Sequence, residues 1–444
     1  MAPLATARED HLVGVHPASF VAGPVAAPTP AVPAPPPGVG TPAPRGGGPP
    51  APRHPLGTPG STPAEWTPRS RTLGAYLHTP FCRQRCPYCS FNTAPYRPAA
   101  MERFLAALGR EIDLVGEANW VSGVTVGSVF VGGGTPSLLP ADELAEILDR
   151  LRKRFAVAPN AEVTVECNPE SVSREKLEGY RLAGVNRISL GVQTLNDALL
   201  QRLGRLHSAR EARQAFEAAR AAGIGDINVD LMYGLPRLDL AGWKAVLSGV
   251  LAWEPEHLSA YCLTLDEGSR WGSEGAPALP AEEVVTEQYW LLVRLGREAG
   301  LEHYEISNYC RPGFRSSHNQ IYWRGEEYLA LGPGAAGFLG DIRYTNVKPV
   351  ERYCSVLEAG KLPLGQWERL TLRQQERERL ILGLRLEAGI PRGWLDARMA
   401  EGPARLGQLI KTWEARGLLV FGDDRVSLTE AGFLLSDSLF VELL

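Results

Sequence analysis

Residues 82–93 read C-R-Q-R-C-P-Y-C-S-F-N-T, with three cysteines separated by three and then two residues in a chain of 444 that has only seven. A structural zinc site closes its tetrahedron with four protein ligands. Here His78 is the nearest candidate for a fourth, and the remaining cysteines are distant and show no second pair. Iron–sulfur clusters are held by thiolates, and a [4Fe–4S] cube gripped by three of them keeps one iron open. The open iron can take an amine and a carboxylate from a small molecule, and the methionine end of S-adenosylmethionine (SAM) offers that pair. The spacing therefore reads as Cys82, Cys86 and Cys89 reaching one cube from a single loop after a first β-strand.

The totals set the frame. The chain is 44% hydrophobic and 22% charged with a net charge of −4, ordinary for a globular protein and unfavourable for bulk attraction to nucleic acid or anionic lipid. No apolar run approaches the length of a membrane span. Glu9 and Asp10 near the start, with no apolar segment, argue against a secretory signal. An odd cysteine count with three clustered is not a disulfide framework, so a reducing cytoplasm is expected. Half of the 36 prolines fall in residues 1–70, which are expected to be a disordered Pro/Ala/Gly-rich tail.

From Leu73 onward, short apolar runs alternate with helical patterns. The runs are 75–78, 128–131, 162–166, 187–192, 227–232 and 258–263. Leu144, Ile147, Leu148, Leu151 and Phe155 mark one face of a helix, while Ser208 and Glu211 form a capping-box pattern for another that Gly223 can end. Such alternation implies parallel βαβ units. Six strands suit an open partial barrel over residues 71–300, with an open doubly wound sheet as the alternative. Residues 301–369 carry an H-N-x-x-Y-W sequence and a linker. Residues 370–444 read as helix, hairpin near Gly422–Asp424 and helix, a winged-helix-like pattern. Basic and acidic residues are mixed there, which favours a packing or lid role over DNA binding.

A polar or Gly-rich element follows nearly every run: the cysteine loop, G-G-G-T-P-S (132–137), Glu166-Cys-Asn-Pro-Glu, Gln193, Asp230 before G-L-P, and Thr264. In parallel α/β folds that edge is the ligand-binding face. The glycine turn lacks the lysine of a P-loop. Asp230 is polar within an apolar strand, where an unpartnered charge is costly.

Y-L-H-T-P-F-C-x-x-x-C-x-Y-C resembles the radical SAM superfamily, and within it the HemN-like group of oxygen-independent coproporphyrinogen III oxidases. V-F-V-G-G-G-T-P-S, E-C-N-P-E, R-I-S-L-G-V-Q-T and I-N-V-D-L-M-Y-G-L-P extend the resemblance over most of residues 73–444. It implies a partial (β/α)6 barrel with Cys82, Cys86 and Cys89 on a [4Fe–4S] cluster. Tyr76 would contact SAM near the cluster, and Tyr88 would pack on the adenine. Gly133, Gly134 and Thr135 would meet the methionine end, and Glu166, Gln193, Arg205 and Asp230 would hydrogen-bond the rest.

Two features narrow the resemblance. The dehydrogenases of the group carry a further cysteine two residues past the cluster, where this chain has Phe91. H-N-Q-I-Y-W (318–323) resembles the haem-binding motif of HemW-type haem chaperones, which implies His318 as an axial ligand with Tyr322 and Trp323 against the macrocycle. The low-complexity segment before the cluster strand also lacks the substrate-covering residues of the dehydrogenases. The function expected is a cytoplasmic haem chaperone that carries a cluster with SAM and delivers haem to acceptor haemoproteins. Respiratory acceptors, peripheral membrane contact and a homodimer are all compatible with it; nucleic acid is not an expected partner. The rival is a coproporphyrinogen dehydrogenase of porphyrin biosynthesis.

Overall fold

The computed structural model describes residues 66–276, 278–402 and 404–443. The expected tail, residues 1–70, lies outside the described residues up to position 65. From there the chain is anchored. Trp66 meets Tyr344 edge-on with ring centroids 5.2 Å apart, and the Arg69 N–H donates to both oxygens of Glu327 at 2.9 Å.

Each of the six apolar runs lies in or across a strand: β1 (Thr72–Thr79), β2 (Thr125–Gly133), β3 (Ala156–Cys167), β4 (Arg187–Gln193), β5 (Asp226–Tyr233) and β6 (His257–Cys262). Their near-continuous burial follows from helices packed outside and a filled interior. Helices Pro98–Gly116, Ala141–Arg154, Ala209–Ala221 and Leu240–Leu251 alternate with them. The expected capping box is present, with Ser208 and Glu211 satisfying each other's backbone groups. Gly223 follows that helix at φ 81°, a left-handed conformation that glycine adopts without strain.

β1 to β6 lie side by side in chain order and all run parallel. A doubly wound sheet reverses its strand order at a switch point. There is no reversal here, so the winding is that of an incomplete barrel.

Residues 301–369, expected as a motif-bearing linker, instead extend the same sheet at both edges. The strands are β7 (Glu302–Glu305), β8 (Asn308–Cys310), β9 (Tyr328–Leu331), β10 (Ala336–Leu339), β11 (Ile342–Asn346) and β12 (Leu364–Arg369). The twelve-stranded order is β12-β11-β10-β9-β1-β2-β3-β4-β5-β6-β8-β7, with β9 parallel to β1 and the other added strands antiparallel.

The C-terminal region has its own core around Leu384, Leu395, Ile410, Trp413 and Phe433. Its three-stranded sheet places β13 (Ile390–Pro391) against β15 (Arg425–Leu428), which pairs with β14 (Leu419–Phe421) through a turn at Gly422.

Candidate cluster and nucleotide site

The cysteine loop leaves β1 at the mouth of the partial barrel. A short ladder between Phe81–Cys82 and Ala94–Pro95 closes its base. Asn92 fastens its far end, donating to the Pro333 and Lys348 carbonyls at 2.9 and 3.0 Å. Ser90 Oγ donates to Asp266 at 2.6 Å. Cys82, Cys86 and Cys89 are unoxidised, partly exposed, and line one cavity of about 810 Å³. Among the described residues no three His, Cys, Asp or Glu side chains converge on a single ion.

Glycines make room beside the thiols. A Cβ on Gly134 would stand 2.6 Å from the Phe81 carbonyl oxygen and 3.0 Å from Cys82 Sγ, closer than atoms pack. Gly133 sits at φ 120°, and its N–H donates to Glu166 at 2.9 Å. Thr135 Oγ donates to Cys82 Sγ at 3.5 Å and accepts from Asn168 Nδ2 at 3.2 Å. Arg205 donates to Asn168 Oδ1 at 2.6 Å and the Gly191 carbonyl at 2.8 Å, with Nη1 4.0 Å from Cys86 Sγ. Its Nε is buried without a partner.

Gln193 is held at φ 67°, beside a register shift between β4 and β5. Left-handed backbone is costly for a residue with a side chain, and bulges re-aim side chains at strand ends. The effect here is to turn Gln193 into the cavity.

Burial shapes the electrostatics. It pushes the Glu166 carboxyl up to about 8 and raises Asp230, which accepts from Ser189 at 3.0 Å and Asn228 at 2.7 Å. Burial also raises the Cys82 thiol and pushes Cys89 up to about 12, with Arg85 pulling both the other way. Bound iron would supply the charge that favours the thiolates. The tight backbone approach, the unpartnered Arg205 Nε and the carboxylates aimed inward fit a cluster with an amine- and carboxylate-bearing nucleotide.

Tyr88, Gly133, Gly134, Thr135, Glu166, Gln193, Arg205 and Asp230 thus join the three cysteines on one cavity. Tyr76 does not. It is buried beside Gly132 and Glu166, with its hydroxyl 3.0 Å from His78 Nδ1 and its ring stacked on Phe130.

The H-N-x-x-Y-W motif lies on a short helix beside the cavity. His318 is fully buried on the short helix Ser317–Trp323, with Nδ1 2.8 Å from Ser128 Oγ and Nε2 2.8 Å from the Tyr322 hydroxyl. Its ring stacks on Phe130 at 5.2 Å, and burial pushes its pKa down to about 3. Both nitrogens are hydrogen-bonded to hydroxyls here, so ligation of an iron by this imidazole would require one of those bonds to open. Tyr322 is buried with it; Trp323 reaches the cavity, as does Asn319.

Sequence reasoning missed Asn168, Ser189 and Asn228, which hold Arg205 and Asp230. Asn168 stands inside the E-C-N-P-E stretch and was open to the same strand-end argument. Arg385, Arg416 and Asp437 also reach the cavity, from the C-terminal region, and no local pattern marks them.

The comparisons with known proteins agree with this geometry. A model of the radical SAM superfamily matches residues 76–248, and one of the HemN C-terminal domain matches residues 370–435. The solved coproporphyrinogen III oxidase of Escherichia coli superposes with a TM-score of 0.73 at 24% identity, over 84% of this chain and 90% of that one, which shows a shared fold. A haem chaperone HemW of Mycobacterium tuberculosis is 38% identical over 403 residues, 88% of this chain and 98% of the relative. The Bacillus subtilis haem chaperone HemW is 33% identical over 82% of this chain and 97% of its own length. The mitochondrial radical S-adenosyl methionine domain-containing protein 1 of Bos taurus is 36% identical over 86% of this chain and 89% of its own. On its barrel, its cysteine loop and its match to these relatives across both regions, the chain belongs to the HemW haem-chaperone family of the radical SAM superfamily.

Proposed function

We propose that this protein binds haem and passes it to acceptor haemoproteins, with a [4Fe–4S] cluster on Cys82, Cys86 and Cys89 and SAM on the open iron. The observation that carries the reading is the similarity to HemW chaperones over nearly their whole length. Phe91, on the cavity lining where the dehydrogenases carry a cysteine, supports it. When bound, a reduced cluster supplies one electron to the sulfonium of SAM. The chain's own residues would hold the nucleotide: the 132–135 turn would meet its methionine end, Arg205 and Gln193 would donate to it, and Glu166 and Asp230 would accept. Tyr88, whose ring lies tilted against Trp271 with centroids 6.2 Å apart, would face the adenine. Cytoplasmic location and haemoprotein acceptors belong to the same proposal; no helix among the described residues is long and apolar enough to cross a membrane.

The test is anaerobic. Cluster-loaded protein charged with haem is mixed with an apo-haemoprotein, and transfer is followed by the acceptor's Soret band. A parallel reaction supplies coproporphyrinogen, SAM and a reductant. Transfer without decarboxylation is expected; stoichiometric conversion to protoporphyrinogen would make the protein a dehydrogenase instead.

A further inference from the structure

A row of polar side chains crosses the inner face of the barrel beside the nucleotide site. Ser189 on β4, Asn228 on β5 and His257 on β6 stand at matched register positions on adjacent parallel strands. Side chains alternate along a strand, so Asp230 lies on the same face as Asn228, and Ser259 on the same face as His257. A buried polar network is costly unless every member is satisfied, and this one is satisfied in a single sense.

Its direction follows from the carboxylate. Burial raises Asp230, Ser189 and Asn228 pull it back, and a carboxylate can only accept. The Asn228 amide nitrogen therefore faces Asp230 at 2.7 Å, and it also donates to Ser189 Oγ at 2.7 Å. Ser189 in turn donates to the other Asp230 oxygen at 3.0 Å. That leaves Asn228 Oδ1 toward Ser259 Oγ at 3.0 Å and His257 Nδ1 at 2.7 Å. The imidazole is 1% exposed, and burial holds it neutral by pushing it well below its ordinary range. A neutral ring has one N–H, so Nδ1 carries it and Nε2 accepts from the Tyr304 hydroxyl at 2.8 Å. Tyr304 is buried on β7, and its oxygen accepts from the Ser316 N–H at 3.3 Å. Moving the proton to Nε2 would set the Nδ1 lone pair against Asn228 Oδ1. Turning the amide to relieve that would aim its oxygen at the Asp230 carboxylate.

We propose that His257 is a positioning residue for the nucleotide site: with its proton fixed on Nδ1 by Tyr304, it locks the Asn228 amide and so aims the Asp230 carboxylate into the cavity. The inference rests on the reading of Asp230 as an acceptor for SAM and adds the group that sets it, one strand away. Ser189 and Asn228 are neutral donors, so they orient the carboxylate without cancelling its charge. Arg187, on the same lining, is taken up by Asp226, both of whose oxygens lie 2.6 Å from its Nη1.

The test is the dissociation constant of SAM for the cluster-loaded full chain, read by equilibrium dialysis. His257→Leu is expected to bind SAM at least about tenfold more weakly, the scale of one hydrogen bond to a charged group, with iron content unchanged. His257→Asn, whose amide N–H takes the place of Nδ1–H, should recover most of that loss. In an Asp230→Asn background, His257→Leu should cost nothing further, because the two residues act as one unit. If the leucine variant does not fold, Tyr304→Phe, which removes the hydroxyl that fixes the tautomer, must weaken SAM at least about threefold. Unchanged affinity in these variants, no recovery in His257→Asn, or losses that add in the double variant overturn the role of His257 and leave the nucleotide site standing. Failure of wild type to bind SAM, or full affinity in Asp230→Asn alone, overturns the reading of Asp230 itself.

Discussion

His318 is held by two hydroxyls and a stacked ring, and its surroundings cannot solvate a charge. Removing it strands Ser128 and Tyr322 and opens a void, so His318→Ala is expected to lose roughly 2–4 kcal/mol of stability in denaturant unfolding. Its folded pKa, about 3, lies below the ordinary value near 6.5. Between those values the unfolded chain binds a proton that the folded chain does not, so this ring makes stability fall as pH drops from 6.5 toward 3. His318→Gln should lack that part of the slope; an unchanged acid limb would show that the ring is not buried neutral. Cys86→Ala, by contrast, touches no core packing. After anaerobic reconstitution it should fold normally and lose the brown cluster absorbance and most bound iron; an unaltered iron content would remove Cys86 from the ligand set. That the three cysteines share one place was legible from their spacing, since residues this close on one loop line one cavity. The burial of His318 was not legible, because a motif gives residue order and only packing reveals which face of a short helix is buried.

At the level of elements, the glutamate at position 111 joins three pieces that the sequence pattern leaves unconnected. It is buried on the helix Pro98–Gly116 and accepts from Gly332 N–H at 2.7 Å, Asn346 Nδ2 at 2.6 Å and the Tyr353 hydroxyl at 2.5 Å. It thereby ties the end of β9, β11 and the helix Val350–Glu358 to the first barrel helix. No hydrogen-bond partner is a cation, and burial pushes the carboxyl up to about 7. The folded chain therefore keeps a proton that the unfolded chain releases above about 4.5. The resulting stabilisation is full below 4.5 and is lost as pH rises through 7. Glu111→Gln should flatten that decline by about one proton, or about 1.4 kcal/mol per pH unit within the window, read from unfolding curves at several pH values. An identical pH slope in the variant would mean that Glu111 is ionised throughout. The six core strands were legible because each apolar run is long enough to be a buried strand with a helix after it. β9 to β12 were not: they are short, and their pairing with β1 depends on long-range closure that no local period encodes.

Across the whole molecule the C-terminal region is docked as a roof. Arg343, 5% exposed on β11, pairs with Glu378 at 2.5 Å, and on the other side Arg297 pairs with Glu430. Tyr289 also donates to the Glu430 carbonyl at 2.8 Å. On the winged element Arg392 stands 3.8 Å from Asp396, and Arg398 pairs with Glu376 and Glu401. These basic groups are matched by acids, so full-length protein should show no salt-dependent binding to a short DNA duplex, and a shift at low salt would revive the nucleic-acid reading. The winged pattern was legible in the sequence, but its placement over the barrel mouth was not, because residues 385 and 431–437 reach the cavity only through that docking. Hydrogen exchange can separate the two halves of the cavity. SAM added to the cluster-loaded chain should slow exchange at 132–135 and 191–193 and leave the roof unchanged, since a ligand ordered against a surface closes the local openings that expose its amides. Were 431–437 to slow as well, the nucleotide would reach the roof, and the C-terminal region would be part of its site.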